Sequence, residues 1–351
     1  MLGGQGSPYL QPKEWEGSFG YRYMKSDRHF TGTHEDTERA TEHSEVVNHV
    51  HLLDFGLSYG FQERVSGTFS VPVLFATRST PIRDTAGDVI DRDTQRAEGL
   101  GDMSALANFW VLKPSAHPFG NLQIGTGVKL PTGDSDIRHQ VWVRQGTSFV
   151  QQERTIDQSI TPGDGGFGWI VTANAFQLIL ENVYPVTLFA TGSYLFNPRD
   201  TNGVPTFRTQ PGEEIMSVAD QYLARIGAGV PLIQKWLPEN HAWSVSLSGR
   251  IEGVPVHDLL GESNGFRRPG YAISIEPGMS YLFGKTSAGV SVPVALYRDR
   301  LRSVSDEKAG RHGDAAFADW MLLFSISHRF GGPAAAEAPP PAAAGGAAPT
   351  T

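Results

Sequence analysis

The chain contains no cysteine. That excludes a disulfide framework and a thiolate metal site, and it suits a chain that crosses an oxidising periplasm. No stretch approaches the ~18 consecutive apolar residues that a membrane-spanning helix needs. Positive charge is in deficit: 29 Lys and Arg stand against 37 Asp and Glu, a net charge of −8, which argues against a nucleic-acid partner. The hydrophobic share is 39% of 351 residues, low for a chain of this length built around one large packed core. The start, M-L-G-G-Q-G-S-P-Y-L-Q-P, has neither a basic n-region nor an apolar h-region. Either there is no export signal or this is the mature form with its signal removed. Helical periodicity is nearly absent as well.

What is present is alternation, with 40 glycines and 10% aromatic residues. Runs of roughly ten residues alternate apolar with polar positions and then break, the period of a strand with two different faces. They fall near 16–25, 49–60, 64–77, 101–112, 121–131, 167–180, 185–196, 218–230, 242–254, 271–283, 286–298 and 317–330. The breaks alternate in length. G-F-Q-E, K-P-S-A-H-P-F-G, L-E-N-V-Y-P, L-I-Q-K-W-L-P-E-N-H-A and G-K-T are short, whereas 26–48, 78–100, 132–166, 197–217, 255–270 and 299–316 are long and polar. A soluble sandwich, barrel or propeller has no reason to sort its turns in this way. A closed up-and-down antiparallel β-barrel in an outer membrane does, with short periplasmic turns and long extracellular loops. About twelve strands also return both termini to one side.

The faces agree. In the third run Val65, Phe69, Val71, Val73 and Phe75 oppose Ser66, Thr68, Ser70 and Pro72. In the last, W-M-L-L-F-S-I-S-H-R-F sets Trp320, Leu322, Phe324, Ile326 and Phe330 on one side. An apolar outer face on every strand is an aggregation hazard in water and a requirement in lipid, where closure leaves no unpaired edge. Tyr21, Tyr23, Tyr59, Trp110, Trp169, Tyr194, Trp243, Tyr281 and Trp320 sit near run ends, where interfacial girdles belong. The expected organisation is therefore a periplasmic N-terminal segment (1–15), a transmembrane β-barrel (16–330) and an Ala/Pro-rich periplasmic tail (331–351), disordered by composition.

Two segments carry a family resemblance. E-G-L-G-D-M-S-A-L-A-N-F-W-V (98–111) and L-Q-I-G-T-G-V-K-L-P-T-G-D (122–134) stand one short turn apart, and Y-G-F-Q-E-R-V-S-G-T-F-S-V-P-V begins at Tyr59. The pair G-L-G-D and L-P-T-G-D resembles the outer-membrane family named for the meta-pathway of phenol degradation. The resemblance implies a barrel rooted in the periplasm of a Gram-negative bacterium and passage of small solutes, aromatic or hydrophobic compounds among them. Separately, a last strand ending in Phe330 resembles the C-terminal signal that outer-membrane barrels present to their assembly machinery, although here the Ala/Pro-rich tail follows it. Physically, Gly99 and Gly101 tolerate a bend at a strand start, and Pro131, Thr132, Gly133 and Asp134 end a strand with turn chemistry.

On the polar face, expected to line the lumen, the ionisable candidates are Arg22, Asp54, Asp102, Lys129, Arg225, Arg250, Glu252, Glu276 and Arg329. Mixed charges there either brace a plugged interior or border a polar passage. The first long loop holds His29, His34, Glu35, Asp36, His43 and Glu45, but their spacing fits no closed metal site and reads as a solvated acidic loop. G-D-G-G-F-G (163–168) lacks the Lys-Ser/Thr and the helix of a phosphate cradle. His328 faces outward with no nucleophile evident beside it, so no enzyme, cofactor or metal is expected. The alternatives left open are a porin-like transport channel and a plugged barrel acting as a scaffold through its loops or tail.

Overall fold

The computed structural model describes residues 8–180, 185–232 and 241–332. Two of the expected short turns, and the Ala/Pro-rich tail beyond residue 332, fall largely or wholly outside these residues.

Twelve antiparallel strands form a closed barrel. They are β1 (Glu14–Thr31), β2 (Val47–Gln62), β3 (Val65–Arg83), β4 (Val89–Leu100 continued by Ser104–Trp110), β5 (Gly120–Lys129), β6 (Gly168–Leu180), β7 (Pro185–Phe196), β8 (Gln221–Leu232), β9 (His241–Val254), β10 (Gly270–Phe283), β11 (Thr286–Ser291 continued by Val294–Arg300) and β12 (Ala315–Gly331). Each pairs with its neighbours in sequence. β12 returns to β1 in a register running from Trp15 opposite Phe330 to Phe30 opposite Ala315. Closure leaves no backbone edge to satisfy, which a sheet in lipid requires.

The alternation read from the sequence sets which face is which. Phe55 stands opposite Phe19 and Val71, so all three share a face, and the side chains beside them along the strands are exposed: Phe55 48%, Leu57 43%, Phe69 42%. On β8, β9 and β11 the same face carries Ile226 at 69%, Leu247 at 54% and Leu296 at 68% exposure. The other face holds Ser18, Gly56 and Ser70 on β1 to β3, and Ser244, Ser248 and Ser274 on β9 and β10. Rings gather at two heights. Trp15 meets Tyr59 at 4.5 Å, and Trp243 stacks on Tyr281 at 4.4 Å, toward the short turns. Tyr23 meets Trp320 at 5.9 Å, and Trp169 stacks on Phe196 at 5.0 Å, toward the long loops.

Two expectations are corrected. Trp110 does not belong to the outer girdle. It is 6% exposed, and the position beside it, Phe109, faces outward instead. The break 78–100 is not a polar loop but mostly strand: Thr77 through Ile82 pair with Asp91 through Arg96, and a short turn remains at 84–88. β-Branched Thr77, Thr80, Ile82, Val89, Ile90 and Thr94 favour that extension of the hairpin.

Arginine on the exposed apolar face should be far costlier than on the serine face. Val71→Arg or Val73→Arg should lose about 2–4 kcal/mol if the site lies near the bilayer midplane, and Ser70→Arg clearly less. Urea unfolding in lipid vesicles reads the difference, and the reverse order would mean that the two faces have been exchanged.

Candidate functional site: the barrel interior

The two motif segments meet in a clasp where β4 is interrupted. Gly101, Asp102 and Met103 leave the sheet there, with the Gly101 amide donating to Pro72 O at 2.8 Å. The Asp102 carboxylate accepts from the amides of Gly133, at 2.9 Å, and Asp164, at 3.2 Å. The Thr132 hydroxyl donates to Gly101 O and accepts from the Met103 amide, each at 2.9 Å. The Lys129 ammonium, 8% exposed, lies 3.5 Å from Asp102 and bonds both oxygens of Asp164. Gly163 has no room for a side chain: a Cβ would fall 2.5 Å from Gly133 O and 2.7 Å from the Asp102 carboxylate. G-L-G-D, L-P-T-G-D and the start of G-D-G-G-F-G are thus the two ends of one long loop, 132–166, pinned side by side.

That loop turns inward. Ile156 and Ile160 have no exposed surface and pack on Val50, Leu74, Ala76 and Ala97 of β2, β3 and β4. Between them Asp157 reaches across the mouth. Its carboxylate takes a two-pronged hydrogen bond from Arg268, at 2.8 and 2.6 Å, and lies 3.4 Å from Arg78. Arg78 stands on β3 and Arg268 just before β10, separated by four strands one way round the ring and six the other. Burial alone would push the Asp157 carboxyl up, but Arg268 and Arg78 outweigh it and hold the group well below the usual carboxylate range. A depressed acid contributes stability above its unfolded value, about 3.9, and loses it only as pH falls toward the folded one, so mild acid leaves this clamp intact.

Below the clamp is a cavity of about 790 Å³. Met24, Val50, Ile170, Leu223 and Met321 line it together with Arg22 and Glu252. Deeper, three adjacent strands carry a paired charge band. Arg225 on β8 lies 3.2 Å from Glu276 on β10, and Arg250 on β9 lies 2.6 Å from Glu252 and 3.5 Å from Glu276. Ser291 adds a hydrogen bond to Glu276 at 2.8 Å. Asp54 is exposed on the opposite wall, facing Gly20. At the end with the short turns Arg329 bonds Glu16 at 2.8 Å and the Tyr9 carbonyl at 3.0 Å. Tyr9 is buried in an edge-on cluster with Trp110 and Phe176, at 4.7 and 5.8 Å, and its hydroxyl donates to His117 O at 2.6 Å. The described part of the expected N-terminal segment, from residue 8, therefore tucks into the barrel mouth at Tyr9.

The candidates named from sequence thus divide. Asp102 and Lys129 are joined in the clasp, Arg225, Arg250, Glu252 and Glu276 in the wall band, and Arg329 with the N-terminal segment. Arg22 faces Glu252 of the wall band across the interior cavity, and Asp54 stands apart from these groups. Asp157, Arg268, Arg78 and Tyr9 carry no motif, and Asp164 lies in the G-D-G-G-F-G segment set aside above; the signal in the sequence is isoleucine near Asp157 on either side, out of place in a solvated loop. The acidic-loop expectation needs correction at His29, which is 4% exposed. The Val46 amide donates to its Nε2 at 2.8 Å, so Nδ1 carries the proton given to Asp314 at 2.6 Å, and both ring nitrogens are engaged. No metal-binding cluster occurs among the described residues. His328 pairs with Thr286 at 2.7 Å.

No protein-family model matches the chain, and no curated protein matches it in sequence. Solved structures do resemble it. The COG4313 outer membrane channel from Pseudomonas putida F1 is 11% identical, with 92% of this chain and 97% of that one covered at a TM-score of 0.55. The β domain of the Bordetella autotransporter BrkA is 12% identical over 90% and 99%, at 0.47. The Pseudomonas putida toluene transporter TodX is 8% identical over 93% and 95%, at 0.40. At these identities the first likeness shows the fold, and the other two carry no argument.

Lys129→Met should leave Asp102 and Asp164 facing each other without their shared cation, at a cost of about 3–5 kcal/mol. Adding Asp164→Asn should recover much of that loss. Equal instability of the single and double variants in urea would show that the clasp is not electrostatic.

Proposed function

We propose that this chain spans the outer membrane of a Gram-negative bacterium as a non-enzymatic barrel and passes small solutes through its interior. The observation that carries the reading is the cavity of about 790 Å³ inside a ring whose outer face is apolar between two aromatic belts. Burying such a cavity in a soluble protein would leave the exposed face unexplained. Outer-membrane lipid is then the partner of that face. The last strand, ending at Phe330 with the exposed apolar set of β12, is the segment offered to the barrel assembly machinery. Aromatic or hydrophobic compounds as solutes rest on the motif resemblance of residues 98–111 and 122–134.

A plugged scaffold is the second reading. It is favoured by Tyr9 sealed between Trp110 and Phe176 and by the wall charges being paired with one another. Planar-bilayer recording separates the two. Tyr9→Ala should raise single-channel conductance over the parent, because it opens the aromatic cluster of Tyr9, Trp110 and Phe176 at the end with the short turns. Absence of current from both proteins, each shown to be folded by its heat-dependent shift on gels, would put the scaffold in place of the channel.

A further inference from the structure

A second cavity, of about 440 Å³, lies among the extracellular loops. Arg78, Asp157 and Arg208 line both it and the interior cavity, so the carboxylate clamp is the partition between them. The outer cavity is unbalanced in charge. Arg83, Arg144 and Arg154 join Arg78 and Arg208 on its walls, against the carboxylates of Asp93 and Asp157 and of Glu213, which pairs with Arg208 at 3.1 Å from behind. The three outermost guanidiniums are bonded to neutral oxygens: Arg83 to Gly87 O at 2.7 Å, Arg144 to Asp84 O at 2.6 Å and Arg154 to the Gln152 side chain at 3.0 Å. Their charge is therefore not cancelled by direct ion pairing.

Four aromatic side chains, Trp142, Phe149, Phe207 and Phe266, share the lining with aliphatic and polar ones. Arg154 sits 5.3 Å from the Phe207 ring centroid, and Arg208 and Arg268 sit 3.9 and 4.6 Å from that of Phe266. Ile82, Val141, Val143 and Met216 add aliphatic surface to the wall. Guanidinium groups held against ring faces offer a charge-assisted fork for a carboxylate and a flat apolar surface for what it is attached to. Asp157 itself shows how the deepest fork is used: Arg268 grips both of its oxygens, as it would grip those of a free carboxylate.

We propose that the outer cavity and the clamp form an entry site for an organic anion, a carboxylate on an aromatic or similar apolar body, which takes the place of Asp157 on Arg268 and Arg78. The exchange of one carboxylate for another keeps the charge around the two arginines constant. Beyond the partition, Met24, Ile170 and Leu223 receive the apolar body. The inference deepens the solute-passage reading and depends on it for the transport that would follow, though not for binding.

Calorimetric titration of the purified full chain in detergent, with benzoate as probe and benzyl alcohol as its uncharged control, tests the proposal. Benzoate should bind saturably and benzyl alcohol at least tenfold more weakly. Asp157→Asn, which removes the internal competitor, should tighten benzoate binding about tenfold, the scale of one hydrogen bond to a charged group. Arg144→Gln/Arg154→Gln, on the loop hairpin outside the barrel wall, should weaken it several-fold, and this variant keeps the test decisive should Asp157→Asn fail to fold. Equal affinity for benzoate and benzyl alcohol, or unchanged benzoate affinity in the folded variants, overturns the proposal. Current is not the readout, so a barrel that conducts nothing still passes or fails on binding alone.

Discussion

One buried ammonium sets the shape of the interior. Lys129 ends β5 with its charge between Asp102 and Asp164. Left alone, any of the three would be a costly buried ion; together they satisfy one another and fix where the long loop leaves and re-enters the wall. Because Asp102 also accepts the amides of Gly133 and Asp164, the two ends of the loop are held in contact. The intervening chain projects outward as the hairpin Arg138–Gln145 and Ser148–Thr155 and comes back through Ile156, Asp157 and Ile160.

The return leg meets a constraint imposed by lipid. A barrel that turns its apolar side chains outward is left with an interior of serine, glycine and charge, which has to be hydrated, paired or covered. This chain does all three at different depths. Isoleucines of the loop cover the apolar patch of β2 to β4, Asp157 bridges to Arg268 across the mouth, and the wall band pairs its own charges. The cavity that remains lies between loop and band, and the proposed route of a solute runs to it through the arginine-rich vestibule above the clamp. The arrangement of both cavities is thus a consequence of the same loop placement.

The barrel was legible in the sequence because its signal is local. Val65 to Phe75 alternate in one run, and a one-residue slip would reverse every side chain, so face and register follow from composition. The interior was legible only where charge fell on that alternation, as at Arg225, Arg250 and Glu276. Trp110 was misplaced because an aromatic near a strand end reads alike whether it faces lipid or plugs a mouth, and the difference lies in Tyr9, a hundred residues away. Asp157 and Arg268 were missed for a similar reason. Each lies in a break, where no period reports direction, and their meeting depends on a clasp assembled from three separate segments. The G-L-G-D and L-P-T-G-D motifs were visible as motifs, but their purpose needed Gly163 beside Gly133.

The central claim is that loop 132–166 enters the barrel, and the absence of native cysteine makes it directly measurable. Ile160→Cys and Thr147→Cys would each place one thiol in an otherwise thiol-free chain. The first site is fully buried and the second exposed at the hairpin tip. In intact cells treated with a membrane-impermeant maleimide, the account predicts rapid labelling at 147 and protection at 160 that is lost on unfolding. Equal labelling at the two positions in the folded protein would contradict it, since a loop that stands free in solvent cannot hold Asp157 between Arg78 and Arg268.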